Sequence, residues 1–395
     1  MVIPRLRWPL LAAATLLLVP ARPASLDAVR RTGLIADSTF ELPDSVRAIL
    51  SQVSRLVVAP DSSLYLADRL VPAILHLEPS GQFRRVIGRQ GSGPGEFAQV
   101  FSIGLIRDSL WAMDVRQVRV TLFPPQGTGV HTMPFGVRLS GTPGPGNYSV
   151  RGAPTSMLPD GALLLEEDSP DPRRPTHGLL LRADRTMRVL DTIAQLAAEH
   201  SAMTFEWEGG GYMTAQPFGD SPTYGVAADG SLLVLVNRRA ATSSADAQFI
   251  VVGLRNGKEQ VFNRTIDYQP RPLTRAAIDS QVRRIARGRS GDASWPITPD
   301  SVRRKLFKPA YYPPVADVRV GRDGTVWLKV QFADSPTDAD EYLQLSPRGL
   351  PIRRVTTPKG FKLLEADRRT VWGSFNDSMD VPVVQRYALD QVALN

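Results

Sequence analysis

Six times along the chain an apolar stretch runs into an aspartate-centred turn and leaves as a second apolar stretch. The turns sit at Asp61, Asp108, Asp160, Asp229, Asp323 and Asp367. The first reads Leu56-Val57-Val58-Ala59, then Pro60-Asp61-Ser62-Ser63, then Leu64-Tyr65-Leu66-Ala67-Asp68. At Asp160-Gly161, Asp229-Gly230 and Asp323-Gly324 the turn is Asp-Gly, and Asn256-Gly257 gives a related one. Such pairs suit tight hairpins, because their second residue must adopt a positive φ. Alternation within the flanking segments, as in Thr325-Val326-Trp327-Leu328, fits half-buried strands rather than helices. A third and often a fourth strand follow each hairpin, as Ala73–Leu77 and Phe83–Ile87 do in the first unit.

Successive turn aspartates lie 47, 52, 69, 94 and 44 residues apart. The short spacings match one four-stranded unit of a radial array, and the long ones match the same unit with insertions. Six units predict an all-β, six-bladed propeller over residues 32–392. The segment Thr32 to Leu42 is expected to add a strand to the last blade and close the ring.

The first unit continues through Gly81 and Gly88 into Gly88-Arg89-Gln90-Gly91-Ser92-Gly93-Pro94-Gly95-Glu96-Phe97. A phosphate-cradling loop would need a following helix and a Lys with Ser or Thr, and neither is present. The stretch is expected to be the crossover between blades one and two, with Phe97 plugging their seam. Leu64 to Asp68, Gly81, Gly88 and Gly93 to Phe97 together resemble an NHL-type repeat of six-bladed β-propellers. Strong agreement covers about residues 54–114, and later units agree in outline. The resemblance implies the fold alone, since such propellers include lyases, esterases, sensors and binding scaffolds.

Strands of a blade alternate in direction. The turns joining first to second and third to fourth strands therefore share one face, and the remaining connections share the other. The long segments (134–153, 166–176, 192–223, 237–247, 265–314 and 330–341) nearly all fall on that second face, where long loops on a rigid scaffold usually carry function. Segment 265–314 is expected to hold two helices. The first is capped by Thr274 and presents Ile278, Val282 and Ile285 on one face. The second is capped by Thr298, starts at Pro299 and buries Val302 and Leu306. They form either a lid over the axis or a pair packed flat on the rim. The candidate ligand-binding residues are Glu206, Trp207, Tyr212, Tyr224, Tyr311 and Tyr312, aromatics and a carboxylate able to grip a peptide or sugar.

Arg5 and Arg7 precede the apolar run Leu10–Val19 and a small-residue site at Val19-Pro20-Ala21. This is the pattern of an export signal over residues 1–21, and the run is too short to span a bilayer. The expected location is periplasmic or extracellular. The chain has no cysteine, so a large core and not disulfides must stabilise it. Net charge is +8, and of 47 basic residues six are Lys. The arginines are scattered, with no basic run interleaved with aromatics, so no nucleic-acid partner is expected.

No catalytic constellation stands out. His76, His131, His177 and His200 lack metal-ligand spacing, and Gly288-Arg289-Ser290-Gly291 misses a nucleophile elbow by one residue. Asp68 and Asp114 end second strands, where they either bind calcium near the axis or bond to loop backbone; the second is expected. Asp334, Asp338, Asp340 and Glu341 are expected to form a solvated acidic loop. The residues therefore favour a binding or scaffold module, with a protein, peptide or glycan partner on the long-loop rim and no cofactor. The alternative is a metal-dependent hydrolase or lyase with its site at the axis, for which calcium is the natural ion.

Overall fold

In the computed structural model five of the six turn aspartates act as small braces. The Oδ1 atoms of Asp61, Asp160, Asp229, Asp323 and Asp367 accept the backbone N–H two residues on, at 2.8–3.2 Å. This side-chain turn holds the hairpin while the next residue takes positive φ: Gly161, Gly230 and Gly324 do so, and Ser62 adopts +68° in the first blade. The structure describes residue 26 and residues 29–124, 129–135, 154–167, 178–196, 200–208, 210–245, 247–288, 296–378 and 380–389. The export signal lies outside them, as does His177.

The hairpins grow into six four-stranded sheets. Blade one is Val53–Val58, Leu64–Asp68, Ile74–Leu77 and Phe83–Ile87, from the axis outward. Blade two runs from Ser102–Ile106 through Ser109–Asp114 and Arg119–Phe123 to His131–Pro134. Blade three comprises Pro154–Met157, Leu163–Glu167, Leu179–Ala183 and Val189–Gln195. Blade four comprises Thr223–Val226, Leu232–Asn237, Gln248–Arg255 and Glu259–Asp267. Val315–Val320, Val326–Val330, Ala339–Leu345 and Pro351–Pro358 form blade five. Blade six has Lys362–Ala366, Thr370–Asn376 and Pro382–Ala388, and takes its outermost strand, Ile35–Ala36, from the start of the chain.

Ring closure differs from expectation in one respect. Arg31–Gly33 does not join the last blade but adds a fifth, parallel strand to blade five, beside Arg354–Thr356. The reason is electrostatic. Arg31 Nε meets the fully buried Glu341 carboxylate at 3.1 Å and its Nη2 meets Asp334, while Arg354 clasps both acids from within the sheet. Glu341 is thus a buried clamp on the N-terminal strand, and the solvated reading is corrected for that residue. Asp340 is likewise engaged, with Lys329 Nζ and Gly360 N–H each at 2.8 Å; Asp334 and Asp338 are exposed.

Each seam between blades carries its own apolar cluster, six in all, around a closed ring. Phe97 is wholly buried in the seam between blades one and two, as its place after the glycines suggests. Gly88 is obligatory there: its φ is +79°, and a Cβ would lie 2.4 Å from the Phe97 ring. Asp68 and Asp114 tie incoming loops to their blades. Asp68 accepts N–H groups of Ser51, Gln52 and Leu70, and Asp114 those of Ala98, Gln99, Arg116 and Gln117.

Among the described residues three helices interrupt the β-structure: α1 (Asp44–Arg47), α2 (Arg275–Ala286) and α3 (Pro299–Lys305). Thr274 and Thr298 cap the last two through their hydroxyls at 3.2 Å. No helix among the described residues is long and apolar enough to cross a membrane.

Candidate functional site

Sequence-distant insertions meet on the long-loop face. Ala202–Trp207 pairs antiparallel with Gly210–Ala215 to form a hairpin. Met203, Phe205 and Phe218 pack against Val282 and Ile285 of α2 and Val302 of α3 in a separate core. Gln216 clips α3 at both levels, donating to the Lys305 carbonyl at 2.8 Å and accepting from Phe307 N–H at 2.9 Å. Arg303 and Asp279 tie the two helices together at 2.8 Å.

The six candidate residues divide between this layer and the axis. Trp207, Tyr212 and Tyr312 flank the hairpin–helix core, with Tyr212 stacked on Phe205 and Tyr312 edge-on to Phe218. Glu206 is exposed on the hairpin, and Tyr311 bridges to Pro272 where the chain returns to blade five. Only Tyr224 reaches the axis. Its hydroxyl lies 3.3 Å from both Thr155 Oγ1 and Glu166 Oε2, and burial pushes its pKa up.

The axis is bridged rather than open throughout. Leu105 N–H of blade two donates to the Ala228 carbonyl of blade four at 2.8 Å, so close that a Cβ on Gly104 would sit 2.4 Å from that oxygen. Arg55 Nη2 of blade one reaches the Val226 carbonyl at 3.2 Å. Space is left at each mouth.

The cavity at the short-turn mouth is about 590 Å³ and is lined by Val58, Leu105, Ala228 and the turns around Arg322, Asp323 and Asp367. Its charged groups already serve the turns. Arg322 pairs with Asp367 at 2.7 Å, and Asp323 accepts from Thr325 and Arg368 N–H groups.

The cavity at the long-loop mouth is about 320 Å³ and draws on the inner strands of five blades. It is polar and charged: Arg55, Arg319, Asp317, Glu365 and Glu166 line it with Thr155, Ser156, Thr223 and Tyr224. The local fold explains how charges came to face the axis. In blades one, three, five and six the inner strand carries an extra residue, at Ser54, Thr155, Ala316 and Leu364, where pairing with the second strand slips. Bulges re-aim side chains and favour rims and sites. The residue after each bulge is Arg55, Ser156, Asp317 or Glu365, and all four line the cavity.

The charges are only partly matched. Arg319 Nε pairs with Asp317 at 3.1 Å. Arg55 Nε is buried without a hydrogen-bond partner, and burial, then the nearby Arg319 charge, pulls the Arg55 pKa down. Glu365 is 3% exposed, and burial pushes its carboxyl up to about 7 against the pull of Arg55. Lys362 donates to the Val53 carbonyl at 2.6 Å, its pKa lowered by burial and by Arg319. Sequence reasoning missed Arg55, Arg319, Asp317, Glu365 and Glu166. For the first four the signal was a charge set inside an inner strand, as in Leu363-Leu364-Glu365-Ala366; Glu166 lies on the second strand of blade three.

Comparison with known proteins adds to the fold. A family model described as a 6-bladed beta-propeller matches residues 43–125. No curated protein matches the sequence. Among solved structures, a member of a domain family from Bacteroides vulgatus is 12% identical, with a TM-score of 0.49 over 90% of this chain and 95% of its own. A Bacteroides fragilis protein described as exported is 13% identical, with a TM-score of 0.45 over 91% and 97%. A gluconolactonase from Xanthomonas campestris is 10% identical, with a TM-score of 0.42 over 94% and 99%. At these identities the likeness is one of fold.

Proposed function

We propose that this protein is an exported, non-catalytic binding module whose ligand enters the axial cavity from the long-loop face. The observation that carries this reading is the cavity itself. Five blades converge on it, bulges turn charged side chains into it, and one of these, Arg55, keeps its Nε buried without a hydrogen-bond partner. Buried polar groups are ordinarily satisfied, so a pocket that leaves them wanting is suited to a ligand that completes them. The hairpin–helix layer supplies a second surface on the same face, where Glu206, Trp207 and Tyr311 are placed to meet a larger partner such as a peptide or glycan. Export rests on the apolar run behind Arg5 and Arg7. Blade one carries the NHL-type pattern as the finer family reading.

A catalytic reading has one observation in its favour: a carboxyl near neutrality, Glu365, is matched to general acid–base work at pH 7. Its metal-dependent form needs a ligand set. No group of three His, Cys, Asp or Glu side chains placed to hold a metal occurs among the described residues, so no step is assigned through one.

The test is a thermal-shift screen of small molecules, peptides and oligosaccharides against the native protein and Thr223→Trp, which fills the cavity from blade four. The binding reading predicts ligands that stabilise the native protein, fail with the variant and are recovered unchanged. Ligands that stabilise both proteins equally would move the site off the axis. Turnover abolished by Glu365→Gln would make the protein an enzyme.

A further inference from the structure

We propose that the axial cavity is an anion site, taking a small organic monoanion whose charged group docks between Arg55 and Arg319. This rests on the reading that the axial cavity is the ligand site, and it names the ligand's chemical class.

The two guanidiniums come from blades one and five and face the same space. Like charges brought together in a confined cavity repel, and the Arg319 charge is the main influence on Arg55 after burial. The carboxylates of Glu365 and Asp317 oppose that repulsion, but the hydrogen bonding of the pair is incomplete. Arg319 uses one nitrogen on Asp317, whereas Arg55 makes a single hydrogen bond to a neutral carbonyl and leaves Nε buried without a partner. Arginine's planar fork is matched to carboxylate, sulfonate or phosphate oxygens. An anion between the pair removes the repulsion and supplies the missing acceptor.

The opposite wall limits the rest of the ligand. Thr155, Thr223, Tyr224 and Glu166 present hydroxyls and one carboxylate. Hydroxyl or ammonium groups on the ligand body suit that wall, and a second negative group there would face Glu166. The class is therefore a small monoanion with a polar, uncharged or cationic body. A cavity of about 320 Å³ fits a body of a few carbons and excludes a folded partner.

Glu365 makes the site proton-linked. The charged groups around it are Arg55 from blade one, and Asp317, Arg319 and Arg322 from blade five and its turn, with Lys362 on its own strand. With its carboxyl at about 7, it is half ionised at neutrality. A bound anion disfavours that ionisation, so binding takes up a proton, and affinity falls as pH rises above neutrality.

The experiment is calorimetric titration of the native protein with small carboxylates of two to six carbons, each beside its neutral amide. The expected result is binding of carboxylates and not of the amides, with proton uptake near pH 7. Arg55→Met and Arg319→Met should each weaken binding by about 10- to 100-fold, as expected for losing a charge-assisted hydrogen bond. Glu365→Gln should bind and lose the pH dependence. Arg319 is part-exposed, so its variant serves if Arg55→Met does not fold. Amides binding as tightly as acids, blocked by Thr223→Trp, would overturn the anion inference and leave the axial site standing. Carboxylates binding equally to the native protein, both arginine variants and Thr223→Trp would overturn both.

Discussion

Replacing Glu365 by Gln should stabilise the protein, and by an amount that grows with pH. The carboxyl is 3% exposed and raised from its ordinary 4.5 to about 7. Between those values the folded protein holds a proton that the unfolded chain has released, so stability falls as pH rises through this window and levels off above it. Full ionisation costs about 3 kcal/mol, at about 1.4 kcal/mol for each tenfold change in proton affinity. Between pH 5 and pH 8 the change attributable to this group is about 2–3 kcal/mol. The assay is urea unfolding of both proteins across that range, followed by tryptophan fluorescence. Taking the difference at each pH cancels the other titrating groups. The stability of Glu365→Gln minus that of the native protein should rise by about 2–3 kcal/mol from pH 5 to pH 8. A difference that is flat with pH, or that falls, would refute the reasoning: it would mean that Arg55 holds the carboxylate ionised and that burial does not dominate.

Phe97→Ala empties the seam between blades one and two and should cost about 3–5 kcal/mol in urea unfolding, the range for a buried Phe. Glu341→Ala removes the buried carboxylate shared by Arg31 and Arg354, each of which keeps Asp334. It should cost about 1–3 kcal/mol and speed protease cleavage near Arg31. Gly104→Ala places a methyl 2.4 Å from the Ala228 carbonyl oxygen and 2.5 Å from the Trp111 ring. It should cost about 1–3 kcal/mol in the same assay.

The propeller was legible because its signal is local and repeated. An aspartate two residues before its N–H partner, with a residue tolerant of positive φ between, is written in consecutive letters. The helix caps at Thr274 and Thr298 are equally local. What escaped depends on register or on distant partners. Gly210 and Gly211 pair with Trp207 and Glu206 in a hairpin that α2 and α3 cover from about 70 residues further on. Glu341 reads as one of a run of surface acids, because the arginines that bury it lie at positions 31 and 354. The axial charges hid for a third reason. A strict two-residue alternation does not anticipate a bulge, and four bulges decide that Arg55, Ser156, Asp317 and Glu365 face the axis. Of the six aromatic and acidic residues picked out on the long-loop face, the axis receives only Tyr224, because the others belong to insertions that pack on one another.

The most direct test of the central claim is a crystal structure of the protein with the tightest-binding ligand from the screen. The account predicts density in the long-loop-face cavity, within hydrogen-bonding distance of Arg55 and beside Tyr224, and none at the short-turn mouth. Density on the hairpin–helix layer around Trp207 and Tyr311, with the axial cavity left to water, would contradict it.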